Sequence, residues 1–410
     1  MGRLDARRDS SVYHRYRKQP PAESIDAVQR ACHNFFSINC SNMNEEKPVT
    51  SLLQTPLAEW HKAHGAKMAE FAGWNMPIQY PTGIIAEHVH TREKAGLFDI
   101  CHMGEFILDG KGAADALSGA VTVNIATLKP GRCRYGFLLN EAGGILDDLI
   151  VYRLGEDRFM IVVNAGCRAK DLAVLSQRLG KNFVLEDVSD ATAKIDLQGP
   201  ESFAVLEKAL PGAWRRLPYF GFTEDCDFGG KRLCVSRTGY TGELGVEMYC
   251  AWDKAEALWE LLLKDERVKP VGLGARDTLR LEVGLPLNGQ DLDEGHSPAE
   301  AGYAGMLTSQ AAYVGKDGAY AIREKLVPLS IPGRRSARHG DKVFLNGEEV
   351  GVVTSGSFAP SVGNSIAFAY IAAEKADAAE YLVRAAKAEL PAKVAPVPFY
   401  QQGTARAALL

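Results

Sequence analysis

The chain lacks the features that mark several large classes of protein. No apolar run in its 410 residues approaches the roughly 20 residues needed to span a bilayer. The first 42 residues contain no apolar core of the kind that a secretory signal carries. A net charge of −4 provides no basic surface for nucleic acid or for an anionic membrane. We therefore expect no membrane segment and no nucleic-acid partner.

Paired cysteine motifs are also missing. The chain has eight cysteines but no C-x-x-C pair, which argues against a zinc ribbon and an iron–sulfur cluster. Cys226 and Cys234 could form a disulfide. In a chain of this length, small buried hydrophobic residues are the better interpretation, and a reducing compartment follows.

The common catalytic motifs are absent as well. The sequence contains no G-x-S-x-G, no Walker loop and no H-E-x-x-H. The "GLGARD" segment at 272–277 lacks the third glycine of a dinucleotide-binding loop. The absence of these motifs argues against a serine hydrolase, a nucleotide-binding protein and a zinc protease of the types that carry them.

The composition changes along the chain in a way that predicts domains. Residues 1–47 are polar and basic and predict a disordered extension that need not be native, with Met43 as a natural start. We expect an α+β region of two interleaved subdomains over 48–325, a small all-β domain over 326–402 and a tail over 403–410.

Local patterns within these regions predict individual elements. Thr55-Pro56 should open a helix, and Asn346-Gly347 should form the turn of a hairpin within 342–360. The remaining patterns predict a strand pair over 135–154, a strand over 158–167, a helix over 167–180, a strand and a helix over 192–210, two strands over 231–250, a helix over 252–264 and a helix over 275–285 that Gly284 ends.

A single carboxylate interrupts the apolar run "LFDICHMGE" at 97–105. If the run is a strand, alternation places Asp99 and Cys101 on one face and His102 on the other. Cys101 and His102 then cannot easily bind one ion, and we expect no metal site. A carboxylate in such surroundings can handle a proton or stabilise a cation, but it can also cap a helix or a turn. The residues alone leave these alternatives open.

Two further segments carry candidate functional residues. The segment "RTGYTGELGVE" at 237–247 has three glycines around Tyr240 and an acid, Glu247, in an apolar strand. It predicts either a simple hairpin turn or a loop where a flat ligand approaches the backbone. Arg276 and Arg280 are four residues apart on one predicted helix. They could bind a carboxylate or a polar heterocycle edge, or form a solvated face.

Taken together, these segments resemble the aminomethyltransferase, or T-protein, family of the glycine cleavage system. The resemblance covers about residues 50–400. It is carried by ordered blocks at 55–80, 87–105, 140–153 ("NEAGGILDDLIVYR"), 164–167 ("NAGC"), 197–200 ("LQGP"), 236–247, 272–294 ("GLGARDTLRLEVGLPLNGQDLDE") and 351–360 ("GVVTSGSFAP").

The resemblance implies a three-domain cloverleaf around a central folate cavity, with a small C-terminal barrel-like β domain. It implies transfer of the one-carbon unit of aminomethyl-dihydrolipoyl H-protein to tetrahydrofolate, which releases ammonia and forms 5,10-methylenetetrahydrofolate. Lipoylated H-protein is then the partner, with functional links to glycine decarboxylase (P-protein) and dihydrolipoyl dehydrogenase (L-protein). Tetrahydrofolate is a co-substrate, no metal is implied, and a monomer in the bacterial cytoplasm is expected, or in the mitochondrial matrix if the source is eukaryotic.

The resemblance also implies roles for particular residues. Asp99 matches the family's essential aspartate, which would orient the reactive folate nitrogen, handle a proton and stabilise the iminium character of the migrating carbon. Cys101 stands where a serine is usual, which is a near-isosteric change. The implied folate-binding residues are Glu247 as a carboxylate clamp on the pterin ring, Arg276, Tyr240, the pocket walls Met76 and Asn164, and Tyr400 as a C-terminal ligand tyrosine.

Two alternatives share this fold. One is a folate-dependent demethylase or one-carbon transferase with a small methylated donor, against which the "GGILDD" and "FD-x-x-HM" blocks favour the T-protein. The other is a non-catalytic folate-binding factor for iron–sulfur assembly. That branch carries a K-G-C-x-x-G-Q-E motif where this chain reads "GLPLNGQDLDE", and the missing cysteine and the presence of Asp99 count against it.

Overall fold

The structure is a computed structural model that describes residues 51–386 and 388–409. The chain divides into two units, Met1–Ser51 and Leu52–Leu410, and the second is described here. The predicted disordered extension over 1–47 lies outside the described residues. Among the described helices, none is long and apolar enough to cross a membrane.

The secondary structure mixes short helices with many strands. The strands are β1 (Leu53–Gln54), β2 (Lys67–Phe71), β3 (Trp74–Gln79), β4 (Ala95–Asp99), β5 (Gly104–Asp109), β6 (Arg132–Leu139), β7 (Ile145–Arg153), β8 (Arg158–Val163), β9 (Leu185–Asp187), β10 (Thr192–Gln198), β11 (Phe222–Phe228), β12 (Lys231–Ser236), β13 (Gly245–Ala251), β14 (Val268–Pro270), β15 (Glu324–Ile331), β16 (Lys342–Leu345), β17 (Glu348–Ala359), β18 (Asn364–Ala372), β19 (Glu380–Ala385) and β20 (Ala388–Val394). The α-helices are α1 (Ala58–Ala63), α2 (Ile84–Glu93), α3 (Ala113–Ala120), α4 (Arg168–Leu179), α5 (Ser202–Ala209), α6 (Ala255–Leu263) and α7 (Leu273–Glu282).

A six-stranded sheet, ordered β11-β12-β13-β10-β4-β14, has two chemically different faces. Neighbouring strands are antiparallel except for the parallel pair β4 and β14. One face carries Leu97, Ile195 and Val246, which are fully buried in an apolar cluster with residues of α5 and α6. Because side chains alternate along a strand, the other face carries Lys194, Asp196 and Glu247, which are also buried. This polar face is therefore the candidate functional surface of the sheet.

A five-stranded antiparallel sheet, ordered β6-β7-β8-β5-β9, packs against the polar side of the first sheet. Its apolar face is buried in a cluster that includes residues of α3 and α4. From its other face, Tyr152 and Met160 join Cys234 and Tyr249 of the six-stranded sheet in one cluster. The two sheets thus face each other across the buried polar residues.

The C-terminal strands close into a barrel ordered β15-β18-β17-β16-β19-β20, and a small sheet ordered β1-β3-β2 lies near the start of the described chain. In the barrel, Asn346 and Gly347 have φ values of 53° and 87°, as a tight hairpin turn between β16 and β17 requires. Helix α7 joins the barrel to the sheets, since Arg280 on α7 donates to Asp291 Oδ2 at 2.7 Å and to Ser355 Oγ of β17 at 2.8 Å.

The predicted α+β class and the C-terminal barrel are confirmed. The predicted hairpins form as β6–β7, β12–β13 and β16–β17. Helices α4, α5, α6 and α7 lie where the patterns placed helices. The six cysteines within the described residues are free and buried, so the interpretation of Cys226 and Cys234 as buried hydrophobic residues is confirmed.

Three details differ from the predictions. Pro56 precedes α1 rather than occupying its first turn, because the helix begins only at Ala58. The strand predicted over 158–167 ends at Val163. Cys101 and His102 lie in a turn after β4, so the predicted alternation fails beyond Asp99. The reason is local, since Asp99 Oδ1 accepts the Cys101 N–H at 2.9 Å and draws the chain into that turn.

Candidate functional site

Asp99 is the last residue of β4, and its carboxylate is enclosed by hydrogen-bond donors. Oδ2 accepts from Thr55 Oγ1 at 2.6 Å and from His61 Nε2 at 2.9 Å, while Oδ1 accepts from the Cys101 N–H. Burial by itself raises the pKa of Asp99, but these donors and the charge interaction with His61 lower it to about 2. Asp99 is therefore both a turn cap and a permanently ionised buried group.

The partners of Asp99 continue into a short chain of polar groups. His61, from α1, also contacts the hydroxyl of Tyr80 through Nδ1 at 2.8 Å. Burial raises the pKa of Tyr80 far above its usual range, and the charge of Asp99 adds to that shift. The Tyr80 hydroxyl stays protonated and donates to Nδ1, which leaves the Nε2 hydrogen of His61 for Asp99.

Glu247 lies on β13, on the polar face of the six-stranded sheet. Its Oε2 accepts from Thr238 Oγ1 at 2.8 Å, and its Oε1 is 3.4 Å from Lys194 Nζ. Burial by itself raises the pKa of Glu247, but the charges of Lys194 and Arg276 and the hydrogen bond from Thr238 hold that pKa below its usual range. Glu247 is thus a deprotonated acceptor on the polar face.

Arg276 and Tyr240 lie together at the same face. Arg276 Nη1 donates to Asp196 Oδ2 at 2.7 Å, and its guanidinium carbon lies 5.0 Å from the centre of the Tyr240 ring. The hydroxyl of Tyr240 donates to the Pro286 carbonyl. Burial raises the pKa of Asp196 to about 7, with the Arg276 charge opposing that rise and the Glu247 charge adding to it. The structure therefore brings together Glu247, Arg276 and Tyr240, as the resemblance implies.

Lys194 and Asp196, both on β10, are components of this site that sequence reasoning missed. Each is charged and almost inaccessible, at 1 % and 0 % exposure. The available signal was the segment "AKIDLQ", in which two charges alternate with apolar residues and so share one face of a strand.

Asp99 is not on the same face as Glu247. Across β4 and β10, Phe98 pairs with Asp196 whereas Asp99 pairs with Ile195 of the apolar face. Burial lowers the pKa of His102 to about 4, the Asp99 charge opposes this shift, and the Arg276 and Lys194 charges add to it. Among the described residues, no hydrogen-bond partner contacts its buried Nδ1. His102 is therefore a buried neutral imidazole.

Asn164 follows β8 and is fixed by two acids of β7. Its side-chain amide donates to Asp147 Oδ1 at 2.8 Å and to Asp148 Oδ1 at 2.8 Å, and its N–H donates to Asp147 Oδ2 at 3.0 Å. Burial raises the pKa of Asp148 to about 7, and the Asp147 charge adds to this. Burial raises the pKa of Tyr240 far above its usual range, and the Asp148 charge adds to that shift.

Behind Asn164, Asp147, Cys167 and Asp171 form a cluster that sequence reasoning also missed. One ligand-type atom from each lies within 4.8 Å of the others, so within the described chain this group could hold a metal ion. Both oxygens of Asp171 lack a hydrogen-bond partner among the described residues, and burial followed by the neighbouring Asp147 raises its pKa to about 10. A protonated Asp171 beside Asp147 accounts for this arrangement without a metal.

The remaining predicted residues have varied surroundings. Met76 is fully buried in β3. The ring of Tyr400 lies 4.2 Å from the Arg92 guanidinium carbon, and its N–H donates to the Glu282 carbonyl at 2.8 Å. Arg280 is neither solvated nor paired with Arg276 in one ligand fork, because its guanidinium binds Asp277, Asp291 and Ser355.

Two family models match this chain, and together they span most of it. The GCVT N-terminal domain matches residues 57–310, and the glycine cleavage T-protein C-terminal barrel domain matches residues 324–401. The chain belongs to the T-protein family of the glycine cleavage system. The predicted family is therefore confirmed.

Individual relatives of this T-protein family agree. An aminomethyltransferase of Halothermothrix orenii is 42% identical over 336 residues, which are 80% of this chain and 94% of that protein. An aminomethyltransferase of Geobacillus kaustophilus is 40% identical over 364 residues, covering 86% of this chain and 99% of that protein. The crystal structure of the glycine cleavage system aminomethyltransferase T from Bartonella henselae superposes with a TM-score of 0.81 at 39% identity, over 86% of this chain and 99% of that one. The predicted fold and the predicted class of enzyme, an aminomethyltransferase, are confirmed.

Proposed function

We propose that the buried polar face around Glu247 binds tetrahydrofolate, and that this chain transfers to it the one-carbon unit of an aminomethyl group on the dihydrolipoyl arm of H-protein. The observation that carries the proposal is the grouping of the Glu247 carboxylate, the Arg276 guanidinium and the Tyr240 ring on one face. This set offers acceptors, donors and an aromatic surface, which suits a flat heterocycle with polar edges. When bound, tetrahydrofolate supplies the nitrogen nucleophiles that receive the carbon.

The binding residues hold defined roles in this proposal. Glu247, kept deprotonated by Lys194 and Arg276, accepts two N–H groups from the pterin edge. Tyr240 is fixed by the Pro286 carbonyl and by Arg276, so its ring is pre-positioned. Asn164, locked by Asp147 and Asp148, forms a wall without needing to reorganise.

Asp99 acts in this proposal as a fixed negative charge. A carboxyl group with a pKa of about 2 is a weak base, and its oxygens already accept three hydrogen bonds. We therefore assign it the stabilisation of positive charge on the migrating carbon rather than proton transfer. Thr55 and His61 position it by donating to Oδ2.

We infer the partners and setting from the family. The donor is lipoylated H-protein, with P-protein and L-protein completing the system. A monomeric state and a cytoplasmic location follow from the resemblance, with the mitochondrial matrix as the location if the source is eukaryotic. The relatives named above that support the first location are bacterial.

The test combines product analysis with one substitution. The full chain is mixed with tetrahydrofolate and aminomethyl-loaded H-protein, and ammonia and 5,10-methylenetetrahydrofolate are followed by mass spectrometry. We expect Asp99→Asn to lower kcat by about 100-fold or more, the scale of a lost electrostatic group. Asp109→Asn, which changes an exposed aspartate of β5, should leave the rate unchanged.

Two outcomes would contradict the proposal. A folded Asp99→Asn variant within a few-fold of the original rate would remove Asp99 from the chemistry. A folded original chain that binds tetrahydrofolate but yields no product from H-protein would favour a small methylated donor, and methylated amines would be offered next.

A further inference from the structure

Lys194 is a buried lysine whose surroundings leave part of its bonding capacity unused. It is 1 % exposed, and its Nζ lies 3.4 Å from Glu247 Oε1 and 3.5 Å from Met103 Sδ. Among the described residues, Glu247 is its ion-pair partner, whereas the Met103 thioether and the face of the Tyr249 ring, whose centre is 5.3 Å from Nζ, are weak acceptors. An ammonium group has three N–H donors, so Lys194 can donate to one stronger acceptor next to Glu247 in place of a weak one.

The neighbouring carboxylate also has capacity for further hydrogen bonds. Glu247 Oε2 accepts from Thr238 Oγ1 at 2.8 Å and from the Tyr249 hydroxyl at 3.4 Å, and Oε1 lies 3.4 Å from Lys194 Nζ. Each carboxylate oxygen has two lone pairs, so Oε1 can accept one more hydrogen bond, and Oε2 can exchange its long contact with Tyr249 for another donor. Glu247 and Lys194 can therefore present two acceptors and one donor side by side on the polar face.

The acceptors of Glu247 and the donor of Lys194 are complementary to one edge of a pterin ring. A 2-amino-4-oxo pterin carries, in sequence along one edge, an amino group, a ring N–H and a carbonyl oxygen, which are two donors and one acceptor. A 2,4-diamino pterin instead places an amino donor where the carbonyl stood, and its ring nitrogen beside that position has no hydrogen to donate to Glu247. That donor would face the Lys194 ammonium, which cannot accept.

We propose that Lys194 donates to the 4-oxo group of the pterin beside Glu247, and that this pair selects a 2-amino-4-oxo ring over a 2,4-diamino ring. The inference rests on the proposed function, because it needs folate at the polar face. It assigns a specificity role to a residue of β10 that no sequence motif indicated.

A purely structural role for Lys194 makes a different prediction. Glu105 lies on β5 in the facing sheet, is 1 % exposed, and its Oε1 has no partner among the described residues. Burial raises the pKa of Glu105 to about 8, and the Lys194 charge opposes the rise. If Lys194 only balances Glu105 and Glu247, its removal would weaken every ligand equally. Discrimination between two rings separates the two roles.

The experiment measures binding of tetrahydrofolate and of its 2,4-diamino analogue to the full chain by calorimetry. We expect the original chain to prefer the 4-oxo ring by about 10-fold or more, since an unpaired buried polar group opposes the wrong ligand. Lys194→Met keeps the side-chain length without the donors. It should bind tetrahydrofolate about 10-fold more weakly while its affinity for the diamino analogue does not fall, so that the preference shrinks by about 10-fold and only the share that belongs to Glu247 remains.

A charge-balanced pair of variants covers the case in which Lys194→Met does not fold. Glu247→Gln retains Lys194 and should retain a preference for the 4-oxo ring, whereas the double variant Lys194→Met with Glu247→Gln should lose it. A Lys194→Met or double variant with an undiminished preference would overturn the inference. An original chain that binds both rings equally would also overturn it, while failure to bind tetrahydrofolate at all would overturn the proposed function first.

Discussion

Two groups of buried aspartates in this protein have opposite charge states. Asp99 is 2 % exposed and has a pKa of about 2, whereas Asp171 is 0 % exposed and has a pKa of about 10. Burial acts in the same direction on both. Asp99 differs because three donors point at its oxygens, while Asp171 faces the carboxylate of Asp147 and receives no hydrogen bond from the described residues. The donors around a buried carboxylate, rather than its depth, decide its charge.

This difference suits the two proposed roles. A cation-stabilising group must stay ionised, and the donors around Asp99 keep it so. The acids around Asn164 instead form a support, and a proton held by Asp171 lets three neighbouring carboxyl groups coexist without full mutual repulsion. The same residue type therefore provides a charge in one place and a neutral scaffold in another.

The largest expected effect comes from removing the donor that most lowers the pKa of Asp99. His61→Leu should destabilise the fold by about 3 kcal/mol, because it leaves the buried carboxylate without one of the donors that satisfy it. The folded pKa of Asp99 lies below its ordinary value, so its contribution to stability is present above about pH 4 and is lost as the pH falls through 2. The variant should lose less stability over that acid range than the original chain.

Chemical denaturation between pH 2 and 7 measures this effect. His61→Gln is the matched control, since its amide nitrogen can still donate to Asp99, and it should recover most of the loss. If His61→Leu and the original chain are equally stable at neutral pH, hydrogen-bond donors do not determine the charge state of Asp99.

An intermediate effect on the free energy of unfolding is expected at Asp171, in the group of acids around Asn164. Because the folded pKa of Asp171 is raised, the folded state binds more protons than the unfolded state between about pH 4 and 10, so stability falls as the pH rises through that range. Asp171→Asn removes this titration. It should be more stable than the original chain at pH 9 by about 2 kcal/mol, and the advantage should shrink toward pH 5.

Thermal unfolding at pH 5, 7 and 9 checks this expectation, with exposed Asp115→Asn as the control on the neighbouring helix α3. Parallel pH profiles for Asp171→Asn and the original chain would mean that Asp171 is ionised in the fold. A rise in thermal stability on adding a divalent metal ion, lost in Asp171→Asn, would instead identify the cluster as a metal site.

The smallest expected effect is the difference, about 1 kcal/mol, between removing one neutral donor from the first group and one from the second. Tyr135→Phe removes the hydroxyl that donates to Asp148 Oδ2 at 3.0 Å and should cost about 1 kcal/mol, because Asp148 can take up a proton instead. Thr55→Val removes the donor at 2.6 Å from Asp99 and should cost more, about 2 kcal/mol, because Asp99 stays charged. Urea denaturation of both variants at neutral pH measures the two losses of unfolding free energy. A larger loss for Tyr135→Phe than for Thr55→Val would contradict the proposed difference between the two groups of aspartates.

Much of the fold could be predicted from sequence because its signals are local. The Asn346-Gly347 turn requires positive φ at both residues, and the helix of α4 ends at Gly180 with a φ of 77°. Glu247, Arg276 and Tyr240 were named from family motifs, and the fold places them on one face. Lys194 and Asp196 were not named, because their importance depends on the pairing of β10 with β13 and β4.

The contacts of the Asp99 carboxylate could not be predicted from the sequence either. Its hydrogen-bond donor His61 is 38 residues earlier in the chain, on a different element. The assumption of a continuing strand through 101–102 failed because the Asp99 side chain itself ends the strand. Local alternation could not show that a carboxylate would cap its own turn.

The sequence by itself determined the family, the α+β class, the C-terminal barrel and most helix and hairpin positions, since these follow from short-range periodicity and from ordered motifs. The tertiary structure alone decided which buried carboxyl groups are charged. It also decided that Lys194 lies against Glu247, and that Asp99 and Glu247 lie on opposite faces of one sheet. Charge and hydrogen bonding act through space over a few ångströms, and only the folded chain sets which distant residues come that close.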